Sequence, residues 1–253
     1  MSTVLIESDG AIRTLTLNRP EKRNALDGDM LAAIVAEFSR TPEPQERAAV
    51  IRANGPAFCS GMDLRQRVSG ERPGQWASIE SAVRAIERYP LPVVAVVQGD
   101  AIAGGNELAL HCDLVVASSA ARFGMPLAQL GLALHWPLVK KLLDTAGPAA
   151  ARELLLLGDP LPAERMHALG MIARVAPPER LEAEAQAMIA RLAANAPLSL
   201  RALKAMLLAG QGYHDGIDHA DADALAAAAR QSADAREGML ARLEHRQPRF
   251  TGQ

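Results

Sequence analysis

The chain has 253 residues, enough for one domain with a full hydrophobic core or for one domain with a small addition. Its formal net charge is −2, so the sequence carries no general basic excess of the kind that binds nucleic acid. Its apolar runs, such as LPVVAVV at 91–97, are far shorter than the roughly 20 residues that a membrane span needs. We therefore expect neither a nucleic-acid partner nor a membrane segment.

The first residues enter a strand-like alternation at once, without a basic segment followed by an apolar one. This start predicts a cytoplasmic protein without a secretory signal. The two cysteines, Cys59 and Cys112, are too few for a disulfide framework and are expected to be small buried residues. His111 adjoins Cys112, but no second His/Cys pair stands at a metal-ligand spacing, so no metal site is expected.

The first half of the chain alternates between strands and helices. Two strands, 4–8 and 12–20, flank an Asp9-Gly10 turn that is typical of a β-hairpin. The elements predicted after this hairpin are helix 25–40, strand 48–53, helix 76–90, strand 91–99, helix 103–112 and strand 113–118. Between them lie a glycine-containing loop at 54–64 and a polar loop at 67–75. This order favours an α/β fold in which helices cover parallel strands.

Beyond Pro137 the composition changes to Ala- and Leu-rich segments with helical spacing, and the last of these runs from about Asp215 to Arg246. A helical second half of this size exceeds what one α/β layer needs to cover itself. It predicts a docking or oligomerisation region.

Two glycine turns, each leading from a strand into a helix, are candidate ligand sites. Gly61 precedes Met62, and Gly104 stands three residues before the single carboxylate of its segment, Glu107. Glycine turns at helix starts expose backbone N–H groups, so two such turns can place two donors around one oxygen. Glu107 either follows the ordinary preference for acids near a helix start or moves protons beside that oxygen.

Five segments, in order along the chain, resemble the enoyl-CoA hydratase/isomerase family, also called the crotonase superfamily. They are LNRPEKRNAL at 17–26, AFCSGMDL at 57–64, AIAGGNELALHCDLVVASSAARFGMP at 101–126, QLGL at 129–132 and RQPRFTG at 246–252. The resemblance implies a crotonase-like spiral of β-β-α units over residues 1–195, with the acyl-CoA site. It also implies a helical region over 196–253 and assembly into a homotrimer or a dimer of trimers.

The same resemblance implies roles for individual residues. The N–H groups of Met62 and Gly104 would bind the thioester oxygen of an acyl-CoA, and Glu107 matches the first of two catalytic glutamates. Coenzyme A would enter as part of the substrate, with no separate cofactor. Other residues implied in substrate binding are Arg23, Ala25, Leu26, Ser60, Gly61, Asp63, Leu127 and Trp136. The basic side chains of Arg19, Lys22 and Arg23 either meet coenzyme A phosphates or belong to a solvated loop.

The sequence departs from the family pattern at two places. Leu127 stands where hydratases carry their second glutamate, so one proton-transferring group is missing and ordinary hydration is not expected. His135 falls near where 4-chlorobenzoyl-CoA dehalogenase, a family relative, places its nucleophilic aspartate. His135 is either catalytic or structural, and Trp136 is either core or a wall of the acyl pocket.

Two functions follow from these residues. In the first, the protein is an isomerase or lyase that acts on an acyl-CoA through a stabilised enolate, with Glu107 as its proton carrier. In the second, it is a crotonase homologue that binds acyl-CoA without turnover. The absent second glutamate favours the binder, and the retained Glu107 favours the enzyme.

Overall fold

The computed structural model describes residues 2–68, 78–211, 216 and 218–253. In chain order the strands are β1 (Val4–Asp9), β2 (Ile12–Leu17), β3 (Ala48–Ala53), β4 (Val93–Val97), β5 (Ala101–Ile102), β6 (Leu114–Ser118), β7 (Arg122–Gly124), β8 (Leu161–Pro162) and β9 (Arg174–Ala176). The helices are α1 (Gly28–Ser39), α2 (Leu64–Val68), α3 (Ile79–Arg88), α4 (Gly104–Leu110), α5 (Trp136–Arg152), α6 (Ala163–Ala168), α7 (Leu181–Ala194), α8 (Pro197–Gln211), α9 (Ala220–Gln231) and α10 (Ala233–Leu243).

The described strands form two sheets. The larger has the order β1-β2-β3-β4-β6-β9, in which β1 and β2 form the predicted antiparallel hairpin and every later pairing is parallel. The smaller has the order β5-β7-β8. The chain crosses to the smaller sheet between β4 and β5 and returns at β6, and α4 lies on this return. The predicted α/β class with a helical C-terminal region is confirmed.

Strand β4 is buried on both faces, and its alternate residues face two different layers. Val93, Ala95 and Val97 belong to the main core, which also contains the buried faces of α1 and α3. Val94 and Val96 pack against α7 on the opposite side. The larger sheet is therefore covered by helices on both faces, as its continuous apolar sequence predicts.

Helix α8 is fixed to the sheet by one buried cation. Lys204 is 5 % exposed, and its Nζ donates to the carbonyl oxygen of Leu91 at 3.1 Å and to Asp113 Oδ2 at 2.6 Å. The same Asp113 oxygen accepts the N–H of Val93 at 2.7 Å. A buried amine needs such partners to remain charged, so Lys204 fixes which face of α8 meets the sheet.

The structure corrects one expectation about the C-terminal region. The helical run predicted from Asp215 to Arg246 is interrupted, because α9 ends at Gln231 and α10 begins at Ala233. Ser232 between them has an extended backbone, and its hydroxyl accepts the N–H of Ala235 at 3.0 Å. A serine that caps a new helix in this way ends the previous one.

Three sequence predictions lie partly outside the described residues. They are the polar loop at 67–75, of which only the first residues are described, the helix at 76–90, which lacks its first two residues, and the final helix, which lacks Asp215 and Ile217. The predicted boundary between 195 and 196 falls in the short connection from α7 to α8. Within the described part, no helix has both the length and the apolar composition required to cross a bilayer.

Candidate active site

The two glycine turns singled out in the sequence are joined by backbone hydrogen bonds. Cys59 and Ala101 form a parallel bridge in which the Cys59 N–H donates to the carbonyl of Asp100 at 3.1 Å. The Ile102 N–H donates back to the carbonyl of Cys59 at 2.9 Å. The loop before α2 and the turn before α4 therefore have a fixed position relative to each other.

Only glycine fits where these turns touch. Gly61 has a φ of +90°, and a Cβ at this position would lie 2.9 Å from the Ala103 Cβ and 3.3 Å from the Gly104 nitrogen. A Cβ on Gly105 would overlap the carbonyl oxygen of Cys59. Glycine is thus required twice, once in each turn, for backbones that approach this closely.

Two N–H groups at this junction are candidate donors to a ligand. Leu26 pairs with Met62: the Leu26 N–H donates to Gly61 and the Asp63 N–H donates to Leu26, both at 2.8 Å. The N–H of Met62 itself therefore points away from Leu26, because successive strand amides face opposite sides. Gly104 is the first residue of α4, where an N–H has no acceptor within its own helix.

The residue before this helix is strained. Ala103 has φ 50° and ψ −117°, a backbone conformation that residues with a Cβ rarely adopt. Its N–H donates to the carbonyl of Gly124 at 2.8 Å, which ties the turn to β7. Such strain costs on the order of 1–3 kcal/mol and is characteristic of functional sites.

Arg19 holds the Met62 side of the junction. Its guanidinium pairs with Asp27 at 2.9 Å and Asp63 at 3.2 Å and also donates to the carbonyl of Ala25 at 2.6 Å. The Arg19 side chain is only 15 % exposed. Arg19 is therefore neither a solvated residue nor a free phosphate contact, and the Asp63 carboxylate is engaged in holding the loop.

The other residues expected along the coenzyme A path lie on both sides of this loop. The Ser60 N–H donates to the carbonyl of Arg23 at 3.0 Å. The Arg23 side chain is 65 % exposed and lies 3.5 Å from Asp100, which Arg122 also contacts with two hydrogen bonds of 3.1 and 3.0 Å. A surface group of two cations around one carboxylate is thus available beside the candidate N–H donors.

Helix α4 carries Glu107 on the same face as Gly104. Residues three and seven positions after Gly104 are Glu107 and His111, and both are buried. A Cβ on Gly104 would lie 3.2 Å from Leu26 Cδ1 and 3.6 Å from Ile79 Cδ1. This face therefore looks toward the loop of Leu26 and toward the start of α3.

His111 is held in one tautomer next to Glu107. Its Nδ1–H donates to the backbone carbonyl of Glu107 at 2.8 Å, which leaves Nε2 unprotonated in the neutral ring. Burial lowers the pKa of His111 to about 4; the negative charge of Glu87 opposes this shift and the positive charge of Lys141 adds to it. His111 is consequently uncharged at neutral pH.

Leu127 begins a short 3-10 turn. Its carbonyl accepts the N–H groups of Leu130 and Leu132 at 2.9 and 2.8 Å, and its half-buried side chain packs on the main core. The position at which hydratases carry their second glutamate therefore contributes apolar surface in this chain.

His135 and Trp136 stand at the start of α5. His135 Nδ1 lies 3.9 Å from Glu80 on α3, and its side chain is 42 % exposed. The Trp136 ring stacks on His219, with ring centroids 4.9 Å apart. At the start of α3, Ile79 approaches Gly104, and the next residue, Glu80, lies near His135. The start of α3 therefore lies between the candidate N–H donors and the start of α5.

A cavity of about 850 Å³ opens between α3, α5, α8 and α9. His111, His135 and Trp136 all line it. It begins one helical turn beyond Glu107, since His111 contributes to its wall and follows Glu107 by four residues.

The two cysteines are free and buried, as expected. Burial raises the pKa of the Cys59 thiol to about 12 and raises that of Cys112 as well, so neither is a nucleophile near neutral pH. Within the part of the chain that the structure describes, no three His, Cys, Asp or Glu side chains cluster as metal ligands would.

Comparison with known proteins identifies the family. The family model for enoyl-CoA hydratase/isomerase matches residues 7–253. The chain belongs to the enoyl-CoA hydratase/isomerase family. A 1,2-epoxyphenylacetyl-CoA isomerase of Escherichia coli is 36 % identical over 262 residues, covering 100 % of this chain and 99 % of the relative. A crotonyl-CoA hydratase of Syntrophomonas wolfei is 32 % identical, covering 98 % and 97 %.

A solved structure shows the same fold. Methylmalonyl-CoA decarboxylase in complex with 2-nitronate-propionyl-CoA superposes with a TM-score of 0.89 at 26 % identity, covering 100 % of this chain and 99 % of that one. The expected crotonase-like architecture is confirmed. The members named in these comparisons act on thioesters of coenzyme A by isomerisation, hydration and decarboxylation, so family membership leaves the reaction of this chain open.

Sequence reasoning missed three features around these residues: the ion pairs of Arg19, the Arg23–Asp100–Arg122 group and the position of His111 on the Glu107 face. Only His111 had a signal in the sequence, because residues four apart share a helix face. Each charge group contains one pair of residues that are distant in sequence, Arg19–Asp63 at 44 positions and Arg23–Asp100 at 77, and no local pattern indicates such pairs.

The contact between the turns can be tested at Gly61. Gly61→Ala should weaken binding of butyryl-CoA by about tenfold or more, because the added methyl group pushes Ala103 and the Gly104 nitrogen out of place. Gly10→Ala is the matched control, since Gly10 also has a positive φ (+55°) but has open space around its Cβ position. Calorimetry measures both affinities. Equal losses in the two variants would show that backbone strain alone accounts for the effect.

The neutral state of His111 should appear in the pH dependence of stability. An unfolded histidine titrates near its ordinary value of 6.5 and the folded His111 near 4, so between these values the unfolded chain binds more protons. The free energy of unfolding should therefore fall as pH drops from about 6.5 to about 4, by a few kcal/mol. Urea unfolding of wild type and His111→Gln measures this slope, which the variant should reduce. His167→Gln serves as the control, and an equal slope in wild type and His111→Gln would contradict the prediction.

Proposed function

We propose that this protein is an enzyme that converts an acyl-CoA through an enolate whose oxygen is bound by the N–H groups of Met62 and Gly104. The supporting observation is the junction of the two turns, which holds both amides in place with Glu107 three residues along α4. Donors fixed in advance where charge develops are worth about 10²–10³ each in rate.

Glu107 is the proton carrier in this proposal. Its carboxylate takes a proton from the carbon next to the thioester carbonyl or from the vinylogous carbon, and the electron pair moves onto the oxygen bound by the two amides. Returning the proton to a different carbon shifts a double bond. In a decarboxylation, the carbon–carbon bond to the substrate's carboxylate breaks instead and CO2 leaves. The bonding electron pair forms the same enolate, and Glu107 in its acid form then supplies a proton to the carbon.

Leu127 favours these two reactions over hydration. Adding water to a double bond needs one group to activate the water and one to deliver a proton, whereas an enolate needs a single proton carrier. Leu127 cannot titrate and packs on the core. We therefore assign the chain to isomerisation or decarboxylation, with coenzyme A as part of the substrate and no separate cofactor.

The coenzyme A portion passes the 19–27 loop in this proposal. Arg23 is well exposed beside Ser60, and Lys22 is exposed next to it. These cations meet phosphate groups, while Ala25 and Leu26 follow the pantetheine arm toward the two amides.

A second candidate is an acyl-CoA-binding protein without turnover, and the observation that favours it is Leu127. The two candidates differ in consumption of substrate. Mass spectrometry after incubation with 3-butenoyl-CoA, crotonyl-CoA and methylmalonyl-CoA separates them, because an enzyme changes at least one thioester and a binder changes none.

The role of Glu107 has a direct test. Glu107→Gln keeps the side-chain shape but cannot carry a proton, so turnover of the thioester found in that screen should fall by about 10²–10⁴. The affinity for butyryl-CoA should stay near that of wild type. Glu164→Gln, on an exposed position of α6, is the control. Unchanged turnover in Glu107→Gln would remove Glu107 from the mechanism.

The role of Leu127 is tested by restoring a carboxylate. Leu127→Glu should raise hydration of crotonyl-CoA by up to about 10²–10⁴, the worth of one proton-transferring group. Leu127→Glu combined with His135→Gly tests whether the residues at the start of α5 also block the attacking water. Retained crotonyl-CoA binding with no hydration in either variant, or rapid hydration by wild type, would contradict the prediction. Product is followed by the loss of enoyl absorbance.

Assembly into a trimer or a dimer of trimers is also part of the proposal. Lys204 fixes one face of α8 to the sheet, while Leu203, Met206 and Leu207 on other faces are more than half exposed. Such an apolar stripe at helical spacing is costly in water and suits contact with another subunit.

Sedimentation at micromolar concentration tests this assembly. Wild type should sediment as a trimer or hexamer, and Met206→Lys should shift it toward the monomer because it places a charge in the contact. Ile6→Lys, on the partly exposed strand β1, should leave the assembly unchanged. A monomeric wild type would refute the assembly.

A further inference from the structure

The cavity between α3, α5, α8 and α9 has walls that do not suit a plain hydrocarbon chain. Among the described residues, five basic and four acidic side chains line it, together with three histidines. A pocket for an alkyl tail is lined mainly by apolar and aromatic side chains. The charges of this cavity therefore call for a polar occupant.

The cavity lies in line with the candidate amide donors. Helices α3 and α4 run side by side in the same direction: Ile79 approaches Gly104 at one end, and Glu87 is close enough to His111 to influence its charge at the other. Val83, between these two residues on α3, also lines the cavity. An acyl chain that starts at the amides and follows α4 therefore passes Glu107 and reaches the cavity at His111.

The distance along α4 from the amides to the cavity follows from helix geometry. His111 lies seven positions after Gly104, which at 1.5 Å per residue is about 10 Å. A polar group in the cavity thus belongs to the far end of a long acyl chain and not to the reacting carbons.

Three of the four acidic side chains already have a basic or imidazole partner. Glu80 pairs with Arg84 at 3.3 Å, and Glu87 pairs with Lys141 at 3.2 Å. Asp223 pairs with His219 at 2.7 Å. The fourth acidic side chain, Asp144, has one basic counterpart on the same wall, Lys140.

Two guanidinium groups remain without a carboxylate. In the described ranges, neither Arg88 nor Arg230 is found in an ion pair; Arg230 donates to the carbonyl of Ala133 at 3.4 Å. Each guanidinium offers five donors in a fork that matches a carboxylate. His111 stays neutral at this wall, so the available positive charge comes from the two arginines.

We propose that the acyl-CoA taken by this protein carries a carboxylate at its far end, received in this cavity by Arg88 and Arg230. The inference rests on the proposed function, since it requires the thioester to lie at the Met62 and Gly104 amides. The substrate class is then the mono-coenzyme A thioester of a dicarboxylic acid.

Calorimetry with matched thioesters tests the inference. Adipyl-CoA and hexanoyl-CoA have the same six-carbon chain and differ only in a terminal carboxylate or methyl group, and the eight- and ten-carbon pairs extend the series. At least one dicarboxylic member should bind tenfold or more tightly than its monocarboxylic partner. One length should bind best, because the distance from the amides to the arginines is fixed.

Variants identify the groups responsible. Arg88→Gln and Arg230→Gln should each weaken binding of that dicarboxylic thioester by about tenfold or more, with affinity for the monocarboxylic partner within twofold of wild type. Arg191→Gln removes the same charge from an exposed position on α7 that does not line the cavity, and should change neither affinity.

The outcomes separate this inference from the proposed function. If the monocarboxylic thioesters bind and no dicarboxylic one binds more tightly, the distal carboxylate is refuted while the acyl-CoA function stands. Equal losses for both thioester types in the arginine variants would also refute it. If no thioester binds, the proposed function fails and the inference fails with it.

Discussion

The close approach of two backbones at Gly61 and Ala103 is the constraint on which the candidate site depends. Two sheets meet at this point, because Cys59 precedes α2 beside the larger sheet and Ala101 begins the smaller one. The contact leaves no room for a Cβ on Gly61 and holds Ala103 in a strained conformation. Strain of this kind persists only where surrounding hydrogen bonds over-determine it, and here bonds to Asp100, Cys59 and Gly124 do so.

Charge is distributed around this contact in two distinct ways. On the Met62 side, the positive charge of Arg19 is fully occupied by Asp27 and Asp63, so that it stabilises the loop. At the far end of α4, Arg88 and Arg230 stand at a cavity without a carboxylate partner within the described ranges. Arg19 thus serves the fold, whereas Arg88 and Arg230 are the arginines that we assign to a ligand, and the sequence alone does not tell these two kinds of arginine apart.

Local patterns predicted much of this fold. The Asp9-Gly10 turn placed the hairpin, and the run at 48–53 matches β3 at both ends. The short strands β5, β7, β8 and β9 were not predicted, because pieces of two or three residues have no periodicity of their own and form only where a partner strand lies. The break at Ser232 was hidden by the strong helix propensity of the alanines on either side. At the site, the glycines and Glu107 follow from sequence, whereas the pairing of Arg19 with Asp63 depends on tertiary structure.

Aromatic side chains are scarce in this chain, which has two tryptophans, two tyrosines and four phenylalanines. One of the tryptophans, Trp136, stacks on His219 at the wall of the cavity, and His219 is itself bonded to Asp223 at 2.7 Å. The fluorescence intensity of an indole in contact with an imidazole depends on the protonation state and the position of the imidazole. The intrinsic fluorescence of the protein therefore carries an optical signal from the cavity, and replacing Trp76 would leave Trp136 as the single tryptophan, whose emission reports occupancy without any added label.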